Sequence, residues 1–362
     1  MKLIEINKKE FTDFVIDQDT NNFYQTKQWA EVKRHDNWHT YFVGLDNNGK
    51  IEAAAILFSK ELPIFRRRIF YCPGGLIINY KDLDLLRLFT KYIKDFVEEK
   101  KGLFLKIEPF VSLKSLDNDG NYIQGGYNNE NAIDTLRSLG YLEVETNTPF
   151  PNNIYEIKLN KDMLSQFNNS TRDTIITNEK KAIYTKIIDD NEIDKVINLI
   201  TQSNNKVDFI NIDYKDLYNI FKQNNMIDVR FVYMDIDKYI EIAKGQDNKN
   251  EAYDLKYKYG HNILLGCAIS ICYNQTVSTI TTAINDKFND LLPIYNLHYD
   301  IMKWAYDNNY EYYNIYGIDD KNFYDYCKNY NGNVKKLIGE YDLVISPLRY
   351  KLYNKFIKGR LR

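Results

Sequence analysis

The sequence predicts an α+β protein of two domains that repeat one helix, turn and strand unit. The chain has 362 residues, more than one hydrophobic core usually organises, so two domains are expected. Apolar residues recur at helical spacing from Leu83 to Lys100, and a short apolar strand follows. A later segment, LHYDIMKWAYDNNYEYYNIYGI, has the same order of elements. The sequence therefore predicts a duplicated unit.

The first unit is an amphipathic helix followed by a buried strand. One helix face carries Leu86, Phe89, Ile93, Phe96 and Val97, the spacing expected for a helix packed on a core. A turn at Lys101-Gly102 ends the helix, and LFLKIEP predicts a buried strand that stops at Pro109.

The second unit repeats these features with different residues. Its helix runs through Trp304 and Ala305, and an Asn-rich turn at Asn308-Asn309 follows. The strand after the turn ends near Gly317.

Composition excludes several classes of protein. The 44% hydrophobic content and only seven prolines predict a globular chain rather than a disordered one. A formal net charge of -2 argues against a protein that coats nucleic acid, because such binding needs many cations facing phosphates. Any contact with nucleic acid must therefore be a local patch.

The cysteines, histidines and hydropathy predict reduced thiols, no metal and a cytoplasmic location. The four cysteines form no CxxC pair and do not cluster with the four histidines at metal-binding spacing. No stretch approaches the ~20 apolar residues that span a bilayer.

Two segments indicate how the domains are delimited. The stretch TNTPFPNN, from Thr146 to Asn153, collects turn-forming residues and predicts a domain boundary. The polar stretch from Gly245 to Gly260 predicts a surface excursion with some helical content, too short for a long coiled-coil arm.

Four blocks in this order resemble the Fem family of peptidoglycan branching aminoacyltransferases. They are FYQTKQWAEVKR from Phe23, FYCPGGLIIN from Phe70, FNNSTRDTIITNEKKAI from Phe167, and IYGIDD with the closing NYNGNVKKLIGEYDLVIS. The resemblance covers nearly the whole chain.

The resemblance implies two GNAT-like domains with mixed, mostly antiparallel sheets flanked by helices. In that family the final stretch completes the first domain. Residues 1–148 plus 336–362 are therefore expected to form domain 1, which would bind the precursor, and residues 149–335 domain 2. The implied activity moves an amino acid from aminoacyl-tRNA to the stem-peptide amine of UDP-MurNAc-pentapeptide or lipid II.

This reaction, aminolysis of an ester, predicts a site with a carboxylate and cations. The donor is already activated, so no cofactor, metal or enzyme nucleophile is needed. The site must deprotonate an ammonium with a reference pKa near ~10.4 and stabilise an oxyanion. Glu108, at a strand end where the family usually has Asp before Pro109, is the candidate acid/base or amine-orienting residue. Its alternative role is a structural hydrogen bond to a turn.

The resemblance also predicts substrate-binding residues near the amino terminus and in the middle of the chain. Lys33 matches the lysine that contacts the precursor diphosphate, and Trp29 belongs to the same pattern. Lys206, in NNKVDF, stands where the family has a phosphate-binding Arg; the exchange loses the bidentate fork of the guanidinium.

Departures from the family pattern concern acceptor recognition and catalysis. The family's Phe-Lys-Lys-Gly-Phe-Gly run is YCKNYN here, with Cys327 at the first lysine. Lys328 is the remaining catalytic candidate, and Tyr326 beside it is a predicted substrate contact. Thr279 and Thr281 replace expected substrate-facing tyrosines and are predicted to line the acceptor site in their place.

Two basic stretches are candidates for contact with anionic partners. They are Arg66-Arg67-Arg68 and the tail from Lys335 to Arg362, which has eight Lys or Arg against Glu340 and Asp342. Solvated surface, tRNA phosphates and, for the tail, an anionic membrane are the open interpretations.

Two other functions remain open from sequence. An acyl-CoA-dependent GNAT N-acyltransferase would need a Gly-rich turn that opens a helix, and IQGGY lies in a polar loop without a following apolar helix. A precursor-binding protein that has lost catalysis would fit the change at Cys327.

Overall fold

The computed structural model describes residues 1–18, 20, 22–62, 66–144, 150–203, 213–244 and 249–356. The chain forms two compact units. Unit 1 comprises Met1–Ser115, Tyr122–Asn152 and Lys336–Arg362, and unit 2 comprises Leu116–Asn121 and Asn153–Lys335.

Unit 1 is a seven-stranded sheet with helices around it. Its elements are β1 (Lys2–Glu5), α1 (Lys8–Ile16), α2 (Lys27–His35), β2 (His39–Asn47), β3 (Lys50–Leu62), β4 (Arg67–Gly74), α3 (Leu83–Glu99), β5 (Gly102–Pro109), β6 (Ser112–Ser115), α4 (Glu130–Ser138), β7 (Tyr141–Val144), β15 (Glu340–Val344) and α13 (Pro347–Phe356). The sheet order is β1-β2-β3-β4-β5-β15-β7, and β6 is not part of this sheet. In it β4 and β5 are parallel, and the other neighbours are antiparallel.

Unit 2 repeats this plan. Its elements are β8 (Asn153–Lys158), α5 (Met163–Gln166), α6 (Asn169–Lys180), β9 (Ile183–Ile187), α7 (Ile193–Gln202), α8 (Tyr214–Lys222), β10 (Ile227–Asp235), α9 (Ile236–Ile242), α10 (Lys249–Tyr259), β11 (Asn262–Tyr273), β12 (Thr276–Ile284), α11 (Ile294–Asp307), β13 (Tyr312–Ile315), α12 (Lys321–Cys327) and β14 (Asn333–Leu337). Within unit 2 the strands lie in the order β9-β10-β11-β12-β13-β8-β14, and β12 and β13 are parallel.

The two units share one topology. Strands β1 to β5 correspond in order to β9 to β13, and the single parallel pair lies at the same place, β4/β5 in one unit and β12/β13 in the other. Helix α3 precedes β5, and helix α11 precedes β13, so each unit has a helix before the second strand of its parallel pair. The predicted duplication and the predicted α+β fold are therefore confirmed.

The helix α3 shows why the first repeat folds as the sequence predicts. The Asp82 side chain caps it by accepting from the Leu85 N–H at 3.0 Å. Its apolar stripe is fully buried, as shown by Leu86, Phe89 and Ile93, and each such side chain contributes about 1.5–3 kcal/mol through burial. The turn that follows uses Lys101 at a φ of 61°.

Several further predictions can be compared with the structure. All four cysteines are free and buried. Helix α10 confirms helical content within the stretch from Gly245 to Gly260. The predicted boundary from Thr146 to Asn153 falls partly on residues 145–149, outside the described residues. In the part of the chain that the structure describes, no helix is long and apolar enough to cross a membrane.

Candidate functional site

The parallel pair of unit 1 brings polar side chains to one sheet face. Tyr71 of β4 stands beside Lys106 of β5, and Glu108 follows two residues later on the same face, because side chains alternate along a strand. Strand β15 then pairs with β5, with Asp342 opposite Lys106. Continued by two residues, this register places Glu340 opposite Glu108.

Glu108 is fully buried and hydrogen-bonded. The Tyr71 hydroxyl donates to its Oε2 atom. Burial and, next, the nearby Glu108 carboxylate raise the pKa of Tyr71 well above its usual value, so Tyr71 keeps its proton at neutral pH. Glu108 is thus a desolvated carboxylate with a phenol donor.

A lysine and two more carboxylates complete this cluster. The Lys106 ammonium lies 3.0 Å from Asp342 and 3.5 Å from Glu340. We call Tyr71, Lys106, Glu108, Glu340 and Asp342 the acidic cluster. Among these five side chains, three carboxylates accompany one ammonium. Carboxylates favour the charged form of a nearby cation, so this composition suits a substrate ammonium.

Helix α13 packs against unit 1 and contacts the acidic cluster at Asp342. The Tyr350 hydroxyl donates to Asp342 Oδ2 at 2.6 Å, and burial followed by the Asp342 charge raises the pKa of Tyr350. Tyr350 and Tyr353 also pack on Phe104, with ring centroids 5.3 and 5.2 Å away. Helix α13 thus holds the Asp342 carboxylate of the cluster in place.

Sequence reasoning missed most of the cluster. Only Glu108 was predicted as a site residue, whereas Lys106, Glu340 and Asp342 were not. The available signal was the pair of acidic residues at Glu340 and Asp342 inside an otherwise apolar strand, since buried charges are rare unless they are paired. Their partner on β5 follows only from the sheet register.

Gln25 supports the strand that carries Tyr71. The ladder between β3 and β4 extends only to Phe58 and Tyr71, and beyond it the buried Gln25 side chain bridges the two strands. Its Nε2 donates to Pro73 O, and its Oε1 accepts from Ile56 N, both at 2.7 Å. Gln25 therefore replaces a missing pair of backbone hydrogen bonds beside the acidic cluster.

Lys33 and Trp29 lie together on α2. The Thr26 side chain caps this helix by accepting from the Trp29 N–H at 3.2 Å. The Lys33 ammonium bonds to Asp36 at 2.9 Å and lies 5.9 Å from the centre of the Trp29 ring. Trp29 is 1% exposed, and its indole N–H has no hydrogen-bond partner among the described residues. Substrate contact by either residue stays a prediction.

Thr279 and Thr281 lie in the interior of unit 2. Each is 1% exposed. The Thr279 hydroxyl shares hydrogen bonds with Ser270 at 2.8 Å and Tyr313 at 2.5 Å, and Thr281 lies 3.4 Å from the Tyr214 hydroxyl. The Thr279 contacts connect neighbouring strands, and the Thr281 contact connects β12 to α8. The predicted contact of either residue with substrate stays a prediction.

The Thr279 network ends at a buried imidazole. His298 Nδ1 and the Tyr313 hydroxyl are 2.6 Å apart, while Nε2 has no partner in the part of the chain that the structure describes. Burial lowers the pKa of His298 to about 3, so the imidazole is neutral in the folded protein at physiological pH.

This burial predicts that acid destabilises the fold through His298. The unfolded imidazole binds a proton near pH 6.5 and the folded one only near pH 3, so stability falls as the pH decreases below about 6.5. The expected slope from this group is about 1.4 kcal/mol per pH unit. Urea unfolding of wild type and His298→Asn between these pH values measures it. An equal slope in wild type and H298N would contradict the assignment.

Lys328, Tyr326 and Cys327 lie at the end of α12. Lys328 bonds to Asp119 at 2.5 Å, and this hydrogen bond raises the pKa of Lys328. Tyr326 is half-buried and bonded to Tyr330. Cys327 is fully buried, and burial raises the pKa of its thiol. The residue at the substituted family position thus faces the core of unit 2, and Lys328 does not.

The remaining predicted residues are placed differently. Lys206 lies outside the described residues. Within the basic stretch Arg66–Arg68, the Arg68 guanidinium donates to Tyr41 at 3.1 Å and Ser59 at 3.3 Å, so part of this stretch serves the packing of unit 1.

Unit 2 shows a different charge balance at the equivalent position. There β8 corresponds to β15, and its Glu156 pairs with Asn314 of β13 across the sheet. Glu156 forms an ion pair with Lys335 at 2.7 Å. The excess of carboxylates is thus a property of the acidic cluster in unit 1.

Comparison with solved structures defines the class. A crystal structure of FemX has a TM-score of 0.77 at 18% identity and covers 99% of this chain and 100% of its own. A tandem GNAT protein from the clavulanic acid biosynthesis pathway has a TM-score of 0.55 at 8% identity, over 95% of this chain and 98% of its own. The chain has the fold of two GNAT-like domains.

Sequence comparison gives the family. The FemAB family matches residues 6–256 and 240–358, so the chain belongs to the FemAB family. An aminoacyltransferase FemB of Staphylococcus epidermidis is 20% identical over 428 aligned residues and covers both chains completely. An aminoacyltransferase FemA from another strain of that species is 21% identical and covers 98% of each chain. The protein is an aminoacyltransferase.

Proposed function

We propose that this aminoacyltransferase moves an amino acid from aminoacyl-tRNA to the stem-peptide amine of a peptidoglycan precursor. At the level of the family, the activity is the aminoacyl transfer of peptidoglycan bridge formation. Our proposal adds the donor, the acceptor and the residues that act on them. Because charged tRNA is a cytoplasmic donor, the proposed reaction is cytoplasmic.

The buried Glu108 carboxylate is the observation that carries the proposal. An ester of tRNA is already activated, so the enzyme has to supply a free amine and a favourable site for the oxyanion. The acidic cluster attracts the ammonium form of the acceptor, and Glu108 is the group that takes its proton. Tyr71 donates to Glu108 and so orients the carboxylate.

The proposed reaction replaces the ester C–O bond of the donor with an amide C–N bond. The amine nitrogen attacks the ester carbonyl of the aminoacyl-tRNA, and a tetrahedral intermediate forms. Attack forms the C–N bond, and collapse of the intermediate restores the carbonyl and breaks the C–O bond to the ribose of tRNA. The proton that Glu108 takes from the ammonium passes to the departing ribose oxygen, which restores the carboxylate. The second proton, which the nitrogen loses as the amide forms, is released to water.

Lys33 is the proposed contact for the acceptor phosphates. A lysine ammonium acts as a compact point charge toward phosphate. In the structure it is held by Asp36 at 2.9 Å, so binding a diphosphate would exchange one anionic partner for another. Lys33 and Glu108 belong to the same unit, and we propose that residues 1–148 and 336–362 form the precursor-binding domain.

The other sequence-derived roles remain part of the proposal. They are catalysis by Lys328 and substrate contact by Trp29, Lys206, Thr279, Thr281 and Tyr326.

A transfer assay tests the proposed function. Purified protein is mixed with a full set of charged tRNAs and either UDP-MurNAc-pentapeptide or lipid II, and the acceptor mass is measured. A gain of one amino-acid residue is expected, and its mass identifies the residue added. Acceptor binding with no mass gain for any charged tRNA would instead identify a precursor-binding protein, and deacylated tRNA provides the control.

A further inference from the structure

The outer face of α13 exposes leucines in a basic helix. Leu348 is 79% exposed and Leu352 is 47% exposed. They are four residues apart, so they lie on the same side of the helix. The inner face is occupied by Tyr350 and Tyr353, which pack on Phe104. The leucines therefore lie on the face of α13 opposite the tyrosines, and Leu348 in particular is open to solvent.

The same exposed surface carries positive charge. Arg349, Lys351 and Lys355 are exposed, and the helix sequence PLRYKLYNKF contains no acidic residue. In sequence, the chain continues with Lys358, Arg360 and Arg362 and again no acidic residue. A short helix that combines exposed leucines with several cations and no anions has the composition of an interfacial membrane-binding helix.

A recess beside the helix extends this surface. A cavity of about 630 Å³ is lined on one side by Lys351 and Lys355 and on the other by Gly140 and Leu142. Leu142 is 49% exposed. The recess thus offers two ammonium groups above an apolar wall, which matches the phosphate and the upper acyl region of a phospholipid.

We propose that the outer face of α13 and this recess bind the surface of an anionic phospholipid bilayer. The leucines enter the headgroup and acyl boundary, and the Arg and Lys side chains contact lipid phosphates. The leucines favour a bilayer over tRNA as the occupant, because a phosphate backbone needs cations but gives no gain from burying aliphatic side chains. The inference rests on the proposed function for its purpose, which is to bring the acidic cluster to a lipid-linked acceptor.

Vesicle flotation of the full chain tests the inference. Vesicles of phosphatidylcholine with and without phosphatidylglycerol are compared at about 0.1 M and about 0.5 M salt. The wild-type protein is expected to float with the anionic vesicles at low salt only. Lys351→Gln with Lys355→Gln should lower the partition coefficient roughly 25-fold, about fivefold for each lysine. Leu348→Asn with Leu352→Asn should lower it by roughly tenfold or more, because apolar burial contributes separately.

A matched control variant and a parallel measurement of tRNA binding complete the test. Lys91→Gln with Lys94→Gln removes two exposed charges from α3 in the same unit and should leave partition within about twofold of wild type, the scatter expected for surface charges. Equal loss in this control, or unchanged flotation of both α13 variants, would overturn the proposal. Loss of labelled tRNA binding by K351Q/K355Q with unchanged flotation would assign the surface to RNA instead.

Failure of this inference and failure of the proposed function are distinguishable. The flotation assay contains no charged tRNA and no acceptor, so it reports only on the bilayer. Transfer to the water-soluble UDP-MurNAc-pentapeptide needs no bilayer. The α13 variants should therefore transfer to that acceptor at the wild-type rate, which also shows that they are folded.

Discussion

Replacing Glu108 with glutamine is expected to lower kcat for aminoacyl transfer by about 10²–10⁴-fold, the range of a general acid–base group. Glutamine keeps the size of the side chain and can still accept from the Tyr71 hydroxyl, but it cannot take a proton from the ammonium. Acceptor affinity should fall by a far smaller factor, because Glu340, Asp342 and the phosphate contacts remain.

Two further variants separate catalysis from packing at Glu108. Glu108→Asp should retain more activity than Glu108→Gln, since the carboxylate is kept and moves by one methylene. Glu98→Gln alters an exposed carboxylate of α3 in the same unit and should transfer at the wild-type rate. Wild-type kcat in E108Q, measured under saturating donor and acceptor, would remove Glu108 from the mechanism.

Replacing Lys106 with methionine is expected to lower the free energy of unfolding by about 3–5 kcal/mol, the cost of leaving buried charges without their partner. Lys106 lies 3.0 Å from Asp342 and 3.5 Å from Glu340, and these carboxylate residues are 3% and 5% exposed. Methionine fills a similar volume, so the loss reports on charge. For a unit of this size the Tm should fall by roughly 6–20 °C.

The Lys106 prediction has a rescue and a control. Lys106→Met combined with Asp342→Asn removes one charge of each sign and should recover part of the lost stability. Lys91→Met changes an exposed lysine and should alter the unfolding free energy by less than about 0.5 kcal/mol. If calorimetry showed K106M to be as stable as K91M, the ion pairs would not support the fold.

The sequence predicted the repeated units well because their signal is local. The apolar stripe of Leu86, Phe89 and Ile93 determines α3 by its spacing, and the turn residues Lys101 and Asn309 adopt the positive φ angles that end each helix. Sheet order could not be predicted in this way. Strand β15 pairs with β5 although more than two hundred residues separate them. The periodicity of either strand does not identify the strand that it pairs with.

The candidate site was predicted only in part for the same reason. Glu108 stands at a strand end before a proline, which a single segment reveals. Its companions Glu340 and Asp342 become recognisable only when the register of β15 against β5 is known. Thr279 shows the same limit: its hydroxyl bonds to Ser270 and Tyr313, partners on neighbouring strands that its own segment does not identify.

The affinity of the acceptor amine tests the central claim most directly. Binding of UDP-MurNAc-pentapeptide is measured by calorimetry with its stem-peptide amine free and with the same amine acetylated, to wild type and to E108Q. If the acidic cluster receives the ammonium, the free amine binds wild type roughly tenfold or more tightly than the acetylated form, as expected for charge-assisted hydrogen bonds, and this difference shrinks in E108Q. Equal binding of the two forms by wild type would contradict the proposal that Glu108 and its neighbours hold the attacking amine.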